Sequence, residues 1–184
     1  MKTTNTQKIT TLAVLTALSI VLVATIHIPM PAPISFLEYD PADIPILIAG
    51  FAYGPISGIL VTIVASVLQG ATVSAQSGLY GIIMHVIATG TLVTVSSLIY
   101  SKKKTKKRAA ISVIAGTFSM AVAMFFANLV ITPCFMMGAI NKVTVGAVLD
   151  LMPFIILFNL GKAGLNGLIT FLIYKRISNL IKKN

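Results

Sequence analysis

The stretch MPFIILFNLGKAGLNGLITFLIY (152–174) decides the fold. It is apolar for longer than the roughly 20 residues that cross a ~30 Å hydrocarbon core, and its one charge, Lys162, sits near the middle. An ammonium group there costs roughly 2.5–3.5 kcal/mol on insertion scales, so it faces a protein interior or a watery cavity rather than lipid. Asn159 lies three residues before it and Asn166 four after. On a helix all three share about one face. Such a polar stripe marks a place where something polar is held.

The remainder of the chain is equally apolar. Its 184 residues are 57% hydrophobic and only 10% charged, with a mean hydropathy of +0.96, whereas a soluble domain carries roughly 25% charged residues. This is the composition of an integral membrane protein, short enough for one membrane domain over 1–184. The net charge of +10 is partitioned: 12 of 14 Lys/Arg fall at Lys2 and Lys8, at Lys102 to Arg108, and at Lys175 to Lys183. The four acids, Glu38, Asp40, Asp43 and Asp150, lie in other segments. That is the pattern of the positive-inside rule. Contact with anionic lipid is compatible with the KKKTKKR run; no folded basic module accompanies it to suggest nucleic acid.

Six apolar segments follow, at about 9–28, 44–53, 56–69, 79–100, 109–131 and 152–174. Lysines before the first resemble a signal peptide, but the apolar run is long for one, and a retained helix is expected. Three prolines between Pro29 and Pro33 end it. The second segment would be only ~15 Å long as a helix, half a hydrocarbon core, and breaks from the third at Gly54-Pro55. Pro133 is expected to stop the fifth, leaving a long loop from Cys134 to Asp150. Parity and charge together predict both termini and the lysine run on the cytoplasmic side, with the acidic loop and the Ala71–Ser77 loop outside. Gly50, Gly54 and Gly58 are spaced by four, as are Ala13 and Ala17, and Ala163 and Gly167; this spacing lets helix backbones approach closely or dock a partner helix.

Few strongly polar side chains fall within the spans: His85, Asn128, Asn159, Lys162 and Asn166, with Gln69 at a helix end. Counted from the outer ends, His85, Asn128, Asn159 and Lys162 reach a similar depth, beneath a loop carrying Phe36, Leu37, Glu38, Tyr39 and Asp40. An all-α six-helix bundle is therefore expected, with an outward-facing pocket roofed by the 29–45 loop. Each residue also has a structural alternative. The asparagines could bridge helices, His85 could be a packed histidine, and Asp150 or Asp43 could neutralise Lys162. The chain has no Gly-Lys-Ser phosphate loop for ATP hydrolysis, no workable catalytic pairing for its two histidines, and no cluster of metal ligands. No enzyme activity, cofactor or metal is expected.

Three segments carry a resemblance. LEYDPADIPILIAGFAYGPISGIL (37–60), ANLVITPCF (127–135) and PFIILFNLGKAG (153–164) resemble, in order and spacing, the substrate-binding subunits of energy-coupling factor transporters, the riboflavin-specific members in particular. The resemblance implies a vitamin bound near the outer face of a prokaryotic plasma-membrane protein. It also implies partners on other chains: a transmembrane coupling subunit and two ATPases that use the ATP. Ala13 and Ala17 match the family's docking face on the first helix. By the same resemblance Asn128, Asn159 and Lys162 would hydrogen-bond the flavin, with Leu37 and its neighbours covering it. Another vitamin or small heterocycle, an autonomous secondary carrier and a non-transporting scaffold stay open at this point.

Overall fold

The computed structural model describes residues 5–182; Lys2 and Lys183 of the basic clusters lie outside them. Six helices run α1 (Asn5–Thr25), α2 (Asp43–Tyr53), α3 (Pro55–Ala71), α4 (Gly78–Lys102), α5 (Lys106–Met137) and α6 (Lys142–Lys182). Four helical stretches are long and apolar enough to cross a membrane: Asn5–Thr25, Ala75–Lys102, Lys106–Phe135 and Lys142–Tyr174. α2 and α3 are apolar but shorter.

α2 is the hub of the bundle. It packs on α1, α3, α4 and α6, and its residues from Asp43 to Phe51 are all buried. It ends where Gly54 takes φ 91°, a conformation that costs a residue with a Cβ. Pro55 then starts α3, where its missing N–H is no loss. Gly50 lets this hub approach α4 closely. A Cβ built there would collide with Ser97 Oγ and stand 2.6 Å from Val93 Cγ2. At the far end, Phe51, Tyr100 and Tyr174 form an aromatic cluster with ring centroids 4.7–5.6 Å apart.

Between α1 and α2 the chain forms a small antiparallel ladder, β1 (Ile28–Pro29) with β2 (Glu38–Tyr39), pairing Ile28 with Tyr39 and Pro29 with Glu38. Prolines mask this strand in the sequence, yet an edge strand tolerates them. The tip of the hairpin is seated by Ile34, which joins Val148, Met152 and Ile155 of α6 in a second apolar cluster, with Phe36 and Leu37 against it.

That seat exists because two expectations about helix ends fail. Pro133 does not stop α5, which continues to Met137. Proline removes one intrahelical bond, but the helix ends only at Gly138, with φ 71° and its N–H donating to Cys134 O at 3.1 Å. The long loop then shrinks to 138–141, because Asn141 and Thr144 nucleate α6. Asn141 Oδ1 accepts from Val143 N (2.9 Å) and Thr144 N (3.0 Å), and Asn141 N donates back to Thr144 Oγ1 (3.0 Å). This is reciprocal capping of otherwise unpaired donors. Asp150 and Pro153 thus lie inside α6.

Replacing Gly50 by leucine should force α2 off Val93 and Ser97. The expected cost is about 1–3 kcal/mol from overpacking, read as a lower thermal-unfolding midpoint in detergent; an unchanged midpoint would refute the close α2–α4 contact.

Candidate ligand-binding site

One end of the bundle gathers the polar side chains. Lys162 Nζ lies 2.7 Å from Asp40 Oδ2 and donates to Glu38 O at 3.3 Å. Lys162 is 8% exposed and Asp40 2%, so the pair is a buried ion pair tying α6 to the segment after β2. As the structural alternative for Lys162, the sequence offers Asp150 or Asp43 as its neutralising partner; the structure supplies Asp40 instead. Asn166, fully buried, completes the tie. Its Nδ2 donates to Asp40 O and Asp43 Oδ2, both at 2.9 Å, and its Oδ1 accepts from the Tyr39 hydroxyl at 3.1 Å.

The carboxyl of Asp40 lies outside the membrane-spanning helices. Burial alone would push its pKa up, but the charges of Lys162 and His85, with hydrogen bonds from Lys162 and the Ala42 N–H, outweigh burial and hold it below the usual carboxylate range. Tyr39 moves the other way. Burial, then the nearby Asp40 and Asp43, raise its hydroxyl, which stays protonated and able to donate.

Beside this tie opens a cavity lined by hairpin residues Phe36, Leu37, Glu38 and Asp40, by Ser66, Gln69 and Gly70 of α3, and by Ser74 and Ser77 of the turn before α4. Tyr80, Met84, His85 and Thr89 of α4, Met120 and Met124 of α5, and Phe158, Asn159 and Lys162 of α6 close it. Its volume, about 100 Å³, is below the roughly 300–1,000 Å³ of typical ligand pockets. A ring-sized ligand enters only as walls or roof give way. Two buried polar atoms among its lining residues have no hydrogen-bond partner among the described residues: His85 Nε2 and Gln69 Oε1. His85 Nδ1 is held by Ser66 Oγ at 2.7 Å, and its Nε2 stands 3.8 Å from Asp43 Oδ1, too far to bond. Such orphans call for an external partner.

A family model described as "ECF transporter, substrate-specific component" matches residues 7–174. The chain belongs to that family. As an ECF substrate-specific component it is a multi-pass membrane transporter subunit that binds a transported substrate and associates with an ECF module; the family is not an enzyme family. The riboflavin transporter FmnP of Bacillus subtilis (strain 168) is 28% identical over 126 residues, 68% of this chain and 66% of that protein, just under two thirds of its length. The riboflavin transporter RibU of Staphylococcus aureus (strain TCH60) is 25% identical over 183 residues, 96% of this chain and 93% of that protein. Among solved structures, the S component of a bacterial ECF transporter superposes with a TM-score of 0.79 at 24% identity, over 97% of this chain and 99% of that one. The fold is therefore that of an S component.

Of the residues singled out from sequence, Leu37, Glu38, Asp40, His85, Asn159 and Lys162 line the cavity of this substrate-specific component. Two do not. Tyr39 turns to Asn166. Asn128, fully buried, donates from Nδ2 to Met124 O (2.7 Å) and accepts from Thr132 Oγ1 (2.8 Å), while Thr132 meets the hydroxyl of Tyr80 at 3.1 Å. Asn128 thus steadies a wall residue, Tyr80, which also stacks on Phe135 with centroids 4.0 Å apart. Asn159 lines the cavity with its Nδ2 tied to Ile155 O at 2.8 Å. Ser66, Gln69, Tyr80 and Thr89 were not singled out as site residues. Only Gln69, polar at the end of an apolar run, carried a sequence signal. Ala13 and Ala17 are exposed on one stripe of α1. Among the described residues no cluster of metal ligands occurs.

Replacing Lys162 by methionine strands the Asp40 carboxylate and should cost about 3–5 kcal/mol, the usual penalty for halving a buried pair; K162M combined with D40L should recover much of the loss. A double variant no more stable than K162M would contradict the pair's burial. Because folding depresses the Asp40 pKa, the pair's contribution is complete above the unfolded value of about 3.9 and fades as pH falls toward the folded value. Unfolding midpoints should stay flat from pH 8 to about 5 and fall in stronger acid, with a shallower acid limb in D40N; identical limbs would remove Asp40 from that role.

Proposed function

We propose that this protein captures riboflavin from outside the cell and delivers it to an ECF module, its termini facing the cytoplasm. The observation that carries the reading is the make-up of the cavity. Phe36, Tyr80 and Phe158 with Met84, Met120 and Met124 offer flat and polarizable surfaces for a ring system. His85, Gln69, Asn159 and Lys162 offer hydrogen-bonding groups at its edge. Two relatives that cover most of this chain are riboflavin transporters, which supports a flavin over other heterocycles. Leu37 and Glu38, on the hairpin, cover the ligand, and widening of the cavity comes from this hairpin.

In this reading Lys162 is held ready by Asp40, so the cation is oriented before the ligand arrives. Asn128 and Tyr39 act at one remove, through Tyr80 and Asn166. A transmembrane coupling subunit docks on the Ala13–Ala17 stripe of α1, and two ATPase subunits supply the energy. The acids at the cavity end and the lysine run at the other support the assigned sidedness.

Titrating the purified protein with riboflavin should quench flavin fluorescence to a stoichiometric end point. Gln69→Leu and Asn159→Ala should each weaken binding by about 1–3 kcal/mol, the range for a lost buried hydrogen-bond partner. Asn128→Ala and Tyr80→Phe should weaken it together no more than the larger alone, since they act in one chain of bonds. Folded protein that leaves riboflavin fluorescence untouched, while another heterocycle raises its unfolding temperature, would reassign the substrate.

A further inference from the structure

On the face of α6 opposite Lys162, a second and larger recess faces the surrounding bilayer. Ala110, Ile114 and Phe118 of α5 and Leu160, Gly164 and Leu168 of α6 line an apolar groove of about 480 Å³. Ile114 (57%), Phe118 (62%) and Leu168 (53%) are widely exposed. Apart from its chain neighbours and the adjoining backbone of α6 itself, nothing lies within 4 Å of where a Cβ at Gly164 would stand. The gap is therefore a real absence of protein, unlike Gly167, whose Cβ would strike Val113. From Ala110 to Phe118 the groove runs about 12 Å along α5, close to the depth of one leaflet's acyl chains in a ~30 Å core.

What sits above the groove distinguishes it from an ordinary lipid-facing surface. Val113 against Gly167 sets the antiparallel register of α5 and α6, which brings the first residues of α5 beside the basic end of α6. Lys106 precedes Ala110 by four residues and Val113 by seven; Lys107 precedes Ile114 by seven and Phe118 by eleven. Both lysines therefore continue the groove's own stripe one turn beyond it. They are exposed, and among the described residues neither is in an ion pair. Arg176, also exposed, lies past the end of the groove on α6.

We propose that this groove holds one anionic glycerophospholipid, with an acyl chain between α5 and α6 and its phosphate on Lys106 and Lys107. The charge pattern selects the occupant. A neutral partner helix would use the apolar walls and leave the cations idle, whereas an anionic lipid uses both, since basic residues flanking membrane helices attract anionic head groups. The role does not depend on the identity of the transported substrate.

Native mass spectrometry of the detergent-purified full chain, titrated separately with phosphatidylglycerol and phosphatidylcholine, tests it. One phosphatidylglycerol should bind at least about tenfold more tightly than phosphatidylcholine, given the attraction of two lysines. K106Q/K107Q, on the exposed surface, should bring the two lipids level. G164F and, as a second filling variant, L168W should displace both lipids, with unfolding midpoints reporting that each variant is folded. Equal affinities in the unaltered chain would overturn the proposal. So would retention of phosphatidylglycerol in both filled variants, or exclusion of lipid by a coupling subunit crosslinked at Phe118.

Discussion

The buried contact between Lys162 and Asp40 governs how this end of the molecule is built. Neither group could lie there alone: an unpaired ammonium or carboxylate in an apolar interior costs several kcal/mol. At 2.7 Å each makes the other tolerable, and the requirement propagates. Asp40 must sit deep, so the preceding strand pair must turn its backbone inward, and Asn166 must bond Asp40 O and Asp43 Oδ2. Asp43 in turn accepts from Thr89 of α4 at 2.6 Å. A single charge on α6 thereby fixes the hairpin, the start of α2 and the middle of α4 relative to one another.

The cavity occupies the side of this network where partners run short. Ser66 satisfies one nitrogen of His85 and leaves the other bare; Ser74, 3.5 Å from Gln69 Nε2, leaves Gln69 Oε1 bare. Of the buried polar side-chain atoms left without a partner among the described residues, these two are the ones that line the cavity. The aromatic and methionine walls supply adaptable apolar surface around them. Family membership and this geometry point the same way: a substrate-specific component needs a site that is preformed in its charges yet able to widen.

Much of this was legible in the sequence, because membrane helices declare themselves by length and composition. The break at Gly54-Pro55, the shortness of the second helix and the depth of His85, Asn159 and Lys162 could all be counted from residue numbers. Azimuth could not. A helix that is apolar nearly all round gives no moment to orient it, and Asn128, although on the α5 stripe of the cavity-lining Met120 and Met124, spends its amide on Met124 O and Thr132 Oγ1 of its own helix. The pairing of Lys162 with Asp40 joins residues 122 positions apart, beyond any local pattern. Pro133 misled because a proline weakens a helix without always ending it, and the cap NKVT (141–144) was a readable signal for where α6 begins.

The placement of α2 bears on how the protein is made. Eleven helical residues reach about 16 Å, and lipid finds no face to solvate when neighbours surround the helix on every side. The length of α2, not its apolar character, keeps it from spanning the core by itself. Because α4 and α6 follow it in the chain and form two of its walls, the centre of the bundle closes only once both are in place.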